Sequence, residues 1–434
     1  SHALRESLPA STGLGVADII ALAALEARDA LHQPKLYAAL QRVNGFHVGI
    51  LGWGETAIEL AAAALQGLWA PEKHPPRVTI FCEDAPRAEA EFYARFDGFA
   101  EAMAEYWKGE PDAGRPTIRF VAYDGATSKD PWSPMLQAAP DLCVLAIAND
   151  DPNERLHAAA KLISRRGARN EILLFVRGTP DGAAELVLAP SDPRVAFFGG
   201  PRRILTAEML ISPALDRASE FVHNSYLETR VLAQHRGIYL DTLQRGGVNR
   251  GAWRAATNEG VTEERIEAAE ASFSSARGRL AFLRLREKLA RQLLHEGLFT
   301  PDPGRPAQTP WHELSESYVL GSRAQVDHAL LKLAVMGYTP PEVGGRRTIV
   351  APPNDVSAAQ CECEHDRWAT QMFLTGWRLG AERIDAQKLH TDLIRYGAFP
   401  AEKKAEAVKK DRDPWFKAPE IAAMAYPHWF AFKP

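Results

Sequence analysis

The chain has no run of about 18 apolar residues and no charged stretch followed by a short apolar one near its start, so neither a bilayer span nor a secretory leader is expected. It has only four cysteines, Cys82, Cys143, Cys361 and Cys363, all in apolar settings. That is too few for a disulfide scaffold, and a reducing, cytoplasmic setting is expected. Basic charge is not in excess either: 51 Lys and Arg stand against 55 Asp and Glu, a formal net charge of -4. Without a basic field, nucleic acid is not an expected partner. What remains, 434 residues with 46% hydrophobic and 24% charged, is ordinary globular composition with length for two to four domains. The chain opens Ser1-His2 without methionine, as a piece of a longer protein would.

Apolar positions at Ile19, Ile20, Leu22, Leu25, Leu31, Leu36, Leu40 and Val43 recur at helical spacing and predict an amphipathic lead-in over 15–43, within a first segment 1–44. Six short runs rich in β-branched and aromatic residues then begin near residues 47, 77, 117, 141, 171 and 195, with helix-like stretches between most of them. Strand alternating with helix implies a parallel sheet covered on both faces, a doubly wound α/β (Rossmann) domain over 45–201. Strand signals stop near 202, and long charged helical stretches follow. The Pro/Gly-rich stretch 341–357 reads as a linker. The segments 202–340 and 358–434 share His followed three places on by an aromatic, His223/Tyr226 and His365/Trp368, with Arg323 aligned to Arg412, and read as a two-copy repeat whose first copy is enlarged by a helical insertion.

The first run ends in "LGWGETA". Gly52 permits a tight turn, Gly54 lets backbone approach a phosphate, and Ala57 leaves room for helix packing. Thr56 stands on the same turn. The next run ends in Glu83-Asp84, where a carboxylate can take ribose hydroxyls, and Arg177 closes a later strand at the end where ligands bind. NAD or another adenine nucleotide is the cofactor this pattern suggests. Against it stands Glu55, whose charge at the first helical turn can occupy the anion site itself. A bound nucleotide and a purely structural turn both fit, and Arg177 reads more readily as a surface ion pair than as a phosphate ligand. No His, Lys or Tyr in 141–201 is singled out as a hydride-transfer acid or base. Cys361, Cys363 and His365 fall short of the count and spacing of a closed zinc site, and no metal is expected.

The stretch "EHDRWATQMFLTGWRLGAERIDAQKLHTDL" resembles the ryanodine-receptor repeat (RyR) domain. Its features are His365 and Trp368, then Gly376, Trp377 and Gly380, then Asp385, Lys388, His390, Asp392 and Leu393, then Asp411 and Arg412. The chain departs from the family at His390-Thr391, where His-Pro is common, and at Gly397-Ala398. Over about 45–427 the whole chain resembles bacterial proteins that join a TrkA-N (RCK-like) Rossmann domain to RyR repeats, a group in which a glycine loop with glutamate occurs.

The resemblance implies two RyR-like helical repeats after the α/β domain and a regulatory function without catalysis: sensing a nucleotide-like small molecule and controlling an attached channel or effector part. It also implies a homodimer formed through the Rossmann domain and a membrane-spanning part upstream. The expected ligand contacts are His365, Trp368, Trp377, Lys388, His390 and Arg412, aromatic faces for stacking and cations for an anion. The alternative is that Trp368 and Trp377, Trp377 above all, are core. An NAD-dependent oxidoreductase and a protein-interaction scaffold with an empty Rossmann domain stand as competing functions.

Overall fold

The computed structural model describes residues 16–39, 42–111, 114–124, 130–165, 171–179, 194–200, 214–273, 276–341 and 345–433. The lead-in is two helices, α1 (Val16–Leu31) and α2 (Pro34–Ala39). The break precedes Pro34, whose ring disfavours helix at the residue before it and suits the first position of a new one. Leu40 lies outside the described residues.

All six apolar runs are strands: β1 (His47–Leu51), β2 (Arg77–Cys82), β3 (Thr117–Ala122), β4 (Val144–Ile147), β5 (Leu173–Arg177) and β6 (Val195–Phe198). They form one parallel sheet in the order β3-β2-β1-β4-β5-β6. β1 and β4 are buried along their whole length, whereas the edge strand β3 leaves Arg119 exposed. Helices on both faces leave an inner strand no wet side, so it reads as an unbroken apolar run.

Between the strands lie α3 (Glu55–Gly67), α4 (Ala85–Arg95), α5 (Phe99–Tyr106), α6 (Trp132–Ala138) and α7 (Pro152–Ser164). The side chains of Asp84 and Asp151 accept N–H groups at the starts of α4 and α7, each with a proline in the first turn. The strand order reverses between β1 and β4, which puts a crevice at the carboxyl ends of these two strands.

Beyond the sheet the chain is mainly helical: α8 (Ala214–Gln234), α9 (Arg236–Arg245), α10 (Glu263–Ala271), α11 (Ala276–His295), α12 (Glu316–Val335), α13 (Ala358–Leu374) and α14 (Ala401–Ala425). The described residues fall into two compact units, one within 1–215 and 324–431, the other within 216–323 and 432–434. The stretch expected as a linker holds a strand, β7 (Thr348–Val350), paired with β10 (Phe430–Phe432). Val350 is fully buried, and Thr348 N–H donates to Trp429 O. Residues 342–344 lie outside the described residues.

The C-terminal helices are bound to the α/β domain by polar and aromatic contacts. Tyr106 on α5 donates to Asp366 Oδ1 at 2.8 Å, and Arg395 Nη1 donates to Asp366 Oδ2 at 2.8 Å. The Arg395 guanidinium lies 3.9 Å from the centroid of Trp107, which stacks on Trp69. Burial outweighs Arg395 and the tyrosine and lifts the Asp366 carboxyl to about 6. The folded protein therefore holds a proton that the unfolded chain releases near 3.8, and this group lowers stability as pH rises from about 4 to 6. His328 and His390, held down to about 4 by burial, act with the opposite sign over pH 4 to 6.5. Asp366→Asn is accordingly expected to make stability rise more steeply between pH 4 and 6, by up to about 1.4 kcal/mol per pH unit. Urea titrations at half-unit pH steps measure this; parallel profiles for the two proteins would contradict it.

Candidate functional site

The crevice at the strand-order reversal is filled by the chain itself. α1 buries a stripe of Ala23, Ala27, Ala30 and Leu31, and Glu26 lies in that stripe at 2% exposure. Thr56 Oγ1, on the first turn of α3, donates to Glu26 Oε2 at 2.6 Å, and Gly200 N–H, after β6, donates to Oε1 at 3.1 Å. Arg177 pairs at 2.8 Å with Glu26 and at 2.8 Å with Asp150, the residue that follows Asn149 beyond β4. Burial would lower the Arg177 pKa, but the two carboxylates outweigh it and raise it. Arg155, also buried, donates to Asn149 O at 2.6 Å; burial first, and the nearby Arg177 second, lower it to about 10.

The glycines have a different reason from the one their spacing suggested. Gly52 and Gly54 have φ of 102° and 147°, values that L side chains rarely adopt. A Cβ on Gly52 would come within 2.5 Å of Asn149 Oδ1, and one on Gly54 would collide with the Asp150 carboxylate. The room that these glycines leave is taken by the loop after β4. Trp53 between them turns toward α4 and β3: its indole N–H donates to Glu91 at 2.7 Å and its ring meets Phe120 edge-on at 5.8 Å.

Of the residues expected at a nucleotide, Thr56 and Arg177 converge, but on Glu26. Glu55, expected to fill the anion position, begins α3 one turn ahead of Glu59, and the carboxylate against Thr56 is that of Glu26. Asp84 accepts the Arg87 N–H as the cap of α4, and Glu83 is exposed. Glu26, Asp150 and Arg155 were missed by the sequence reading. The periodicity pointed to the wrong face here: Leu22 and Leu25, expected on the apolar side, are only partly buried, and the face that is buried is the alanine stripe that carries Glu26.

A second cluster forms where α13 ends. Gly376, with φ of 84°, turns the chain, and Trp377 N–H donates back to Met372 O at 2.9 Å, the cross-turn bond of a glycine-terminated helix. The short strands β8 (Arg378–Leu379) and β9 (Leu389–His390) then pair and bring His390 between two indoles. Its ring centroid is 5.1 Å from Trp368 and 6.1 Å from Trp377, nearly perpendicular to the first. Trp377 is buried, whereas Trp368 is partly exposed. The Arg383 guanidinium, another residue that sequence reasoning missed, lies 5.9 Å from the Trp377 centroid, with Nη1 3.4 Å from His390 Nε2. Lys388, exposed, donates to Thr375 O at 2.8 Å beside the Gly376 turn. Burial and then Arg383 hold His390 down to about 4, so near neutral pH it is an uncharged flat ring.

His365 meets this cluster only from behind, with its ring 5.4 Å from that of Trp368, and Arg412 does not join it as expected. His365 is buried among Tyr106, Trp368, Tyr396 and Phe399, its Nε2 bonded to Ile394 O at 3.0 Å and its Nδ1 3.5 Å from Asp411. It positions the loop after β9 and has no face to offer a ligand. Arg412 donates to Asp355 at 2.7 Å, ahead of α13, and its charge acts on Cys361. Cys361 and Trp368 are separated by about 10 Å of helix.

His223, in the other unit, is held in the same way as His365. Its Nε2 bonds Thr309 O at 2.8 Å, its ring lies 6.0 Å from Trp311, and the Arg230 guanidinium stands 5.0 Å over Tyr226. In each case a one-turn helix (Trp311–Glu313, Tyr396–Ala398) and a long helix, α12 or α14, follow the bonded carbonyl. Arg323 pairs with Asp216 as Arg412 pairs with Asp355.

One further array has the outline of a nucleophile, base and acid. His47 Nδ1 is 2.6 Å from Asp141 and His47 Nε2 is 2.9 Å from Thr79 Oγ1. Thr79 is fully buried within β2, so no substrate carbonyl can approach its hydroxyl. The array ties together the amino ends of β1, β2 and β4. No family model matches the chain, and neither does any curated protein or solved structure.

Proposed function

We propose that the chain is a regulatory protein that senses a small, flat, anionic ligand of the nucleotide class at the Trp368–His390–Trp377 cluster, without transforming it. The observation that carries this reading is the partly exposed Trp368 beside an uncharged His390, with two cations in the same loop: Lys388, and Arg383, which is also paired with Asp385 at 2.7 Å. Aromatic faces accept a base and cations accept its phosphate. The resemblance to TrkA-N proteins with two RyR-like repeats supports it, as do the matching bonds of His223 and His365. On this reading the chain works as a dimer joined through its α/β domain, and it reports ligand to an attached channel or effector part. A second reading, an interaction scaffold whose α/β domain carries no nucleotide, is favoured by the crevice being filled by Glu26.

Calorimetry with ATP and with NAD tests the site. Trp368→Leu is expected to weaken binding about tenfold to a hundredfold, the worth of one base stacked on an aromatic ring. Arg412→Ala, on α14 and engaged with Asp355, is expected to leave affinity unchanged. Equal losses in both variants, or none in Trp368→Leu, would sink the assignment of the slot.

A further inference from the structure

We infer that the crevice of the α/β domain is a latent phosphate site held shut by α1, with the Glu26 carboxylate standing where a phosphate group would bind. The groups that hold Glu26 are a hydroxyl on the first turn of α3, a backbone N–H after β6, and the Arg177 guanidinium. A helix start, free N–H groups and an arginine fork are the donors that phosphate oxygens take. The next turn of α1 repeats the pattern, since Asp29 accepts the Gly199 N–H at 2.8 Å. Without Glu26, Arg177 would keep Asp150 alone, and the Thr56 hydroxyl and the Gly200 N–H would lose the acceptor they share.

The seat of α1 is displaceable because of what holds it. Alanines in its buried stripe let α1 pack closely on α3, and the contacts that Glu26 adds to this packing are polar ones that a competing anion can replace. α1 also has an attachment outside the crevice. Arg28 donates twice to Asp327 on α12, at 2.9 and 2.7 Å, and His32 lies 3.3 Å from the same carboxylate and edge-on to Tyr426. Burial would raise Asp327, but Arg28 and His32 hold it down to about 2, so this anchor is charged at neutral pH. One helix thus touches the crevice with Glu26 and Asp29 and the C-terminal helices with Arg28 and with His32 just past its end. An anion that displaces Glu26 loosens Arg28 from Asp327, and by reciprocity a loosened Arg28 favours the anion. The inference is independent of the aromatic slot.

Inorganic pyrophosphate, which has phosphates and no base to stack, is the probe, used with the full chain in calorimetry. Glu26→Ala is expected to bind it about tenfold more tightly than the unaltered protein, a coupling of ordinary size. Adding Arg177→Met to that variant is expected to abolish the gain, and Trp368→Leu to leave it intact. Absence of any gain in a folded Glu26→Ala protein, or a gain that survives Arg177→Met, would overturn the inference. Should Glu26→Ala fail to fold, Arg28→Ala decides, because it leaves every crevice residue in place. Tighter pyrophosphate binding, with faster hydrogen exchange of α1 amides on adding pyrophosphate, supports the inference, and unchanged affinity overturns it.

Discussion

Glu364→Ala is expected to lower the free energy of unfolding by about 3–5 kcal/mol, the loss found when one partner of a buried ion pair is removed. Glu364 sits on α13 at 2% exposure and is the single anion among three basic side chains. Arg367 reaches it with Nε at 3.1 Å and Nη2 at 2.8 Å, Lys332 Nζ at 2.8 Å, and His328 Nδ1 at 3.3 Å. Arg367 and Lys332 are each 1% exposed, so removing the carboxylate strands two cations out of reach of water. Burial would raise the Glu364 pKa, but Arg367 and Lys332 outweigh it and hold it well below the usual carboxylate range. Its stabilising share is therefore present above about pH 4.5 and is lost as pH falls through the depressed value. Urea denaturation at pH 7 reads the effect as a shift of midpoint with unchanged slope. Arg412→Ala breaks an exposed pair and should cost no more than about 1 kcal/mol. A Glu364→Ala loss no larger than that of Arg412→Ala would refute the buried-charge account.

Arg177→Met is expected to cost a similar amount, about 3–5 kcal/mol, since it leaves Glu26 and Asp150 without their shared cation. The double variant Arg177→Met/Glu26→Gln should recover part of that loss, because it removes the stranded charge together with its partner. Recovery of more than about 1 kcal/mol in the cycle would measure the coupling directly. Additive losses in the double variant would show that Arg177 acts through packing and not through Glu26. The cycle addresses stability alone and is separate from the pyrophosphate titration.

The sheet was legible in the sequence because its signal is local. Each strand is four to six residues with its own apolar character, and the turns after β1, β2 and β4 carry a glycine or a capping aspartate within a few places. The turn at Gly376 and the helix that carries His365 and Trp368 were expected from the resemblance to the RyR repeat, and both are present. The tertiary structure alone decided what those local pieces face. Nothing in "LGWGETA" says that the loop after β4 fills the room left by its glycines, or that Glu26, 30 residues earlier, takes the Thr56 hydroxyl. Tyr106 and Asp366, which join the α/β domain to α13, are 260 residues apart, and Arg28 and Asp327 are 299 apart. Hydrophobic periodicity reports at most the buried face of an element whatever covers it, whereas a charge buried on that face is stable only with a particular partner. Which partner it meets depends on how the whole chain packs.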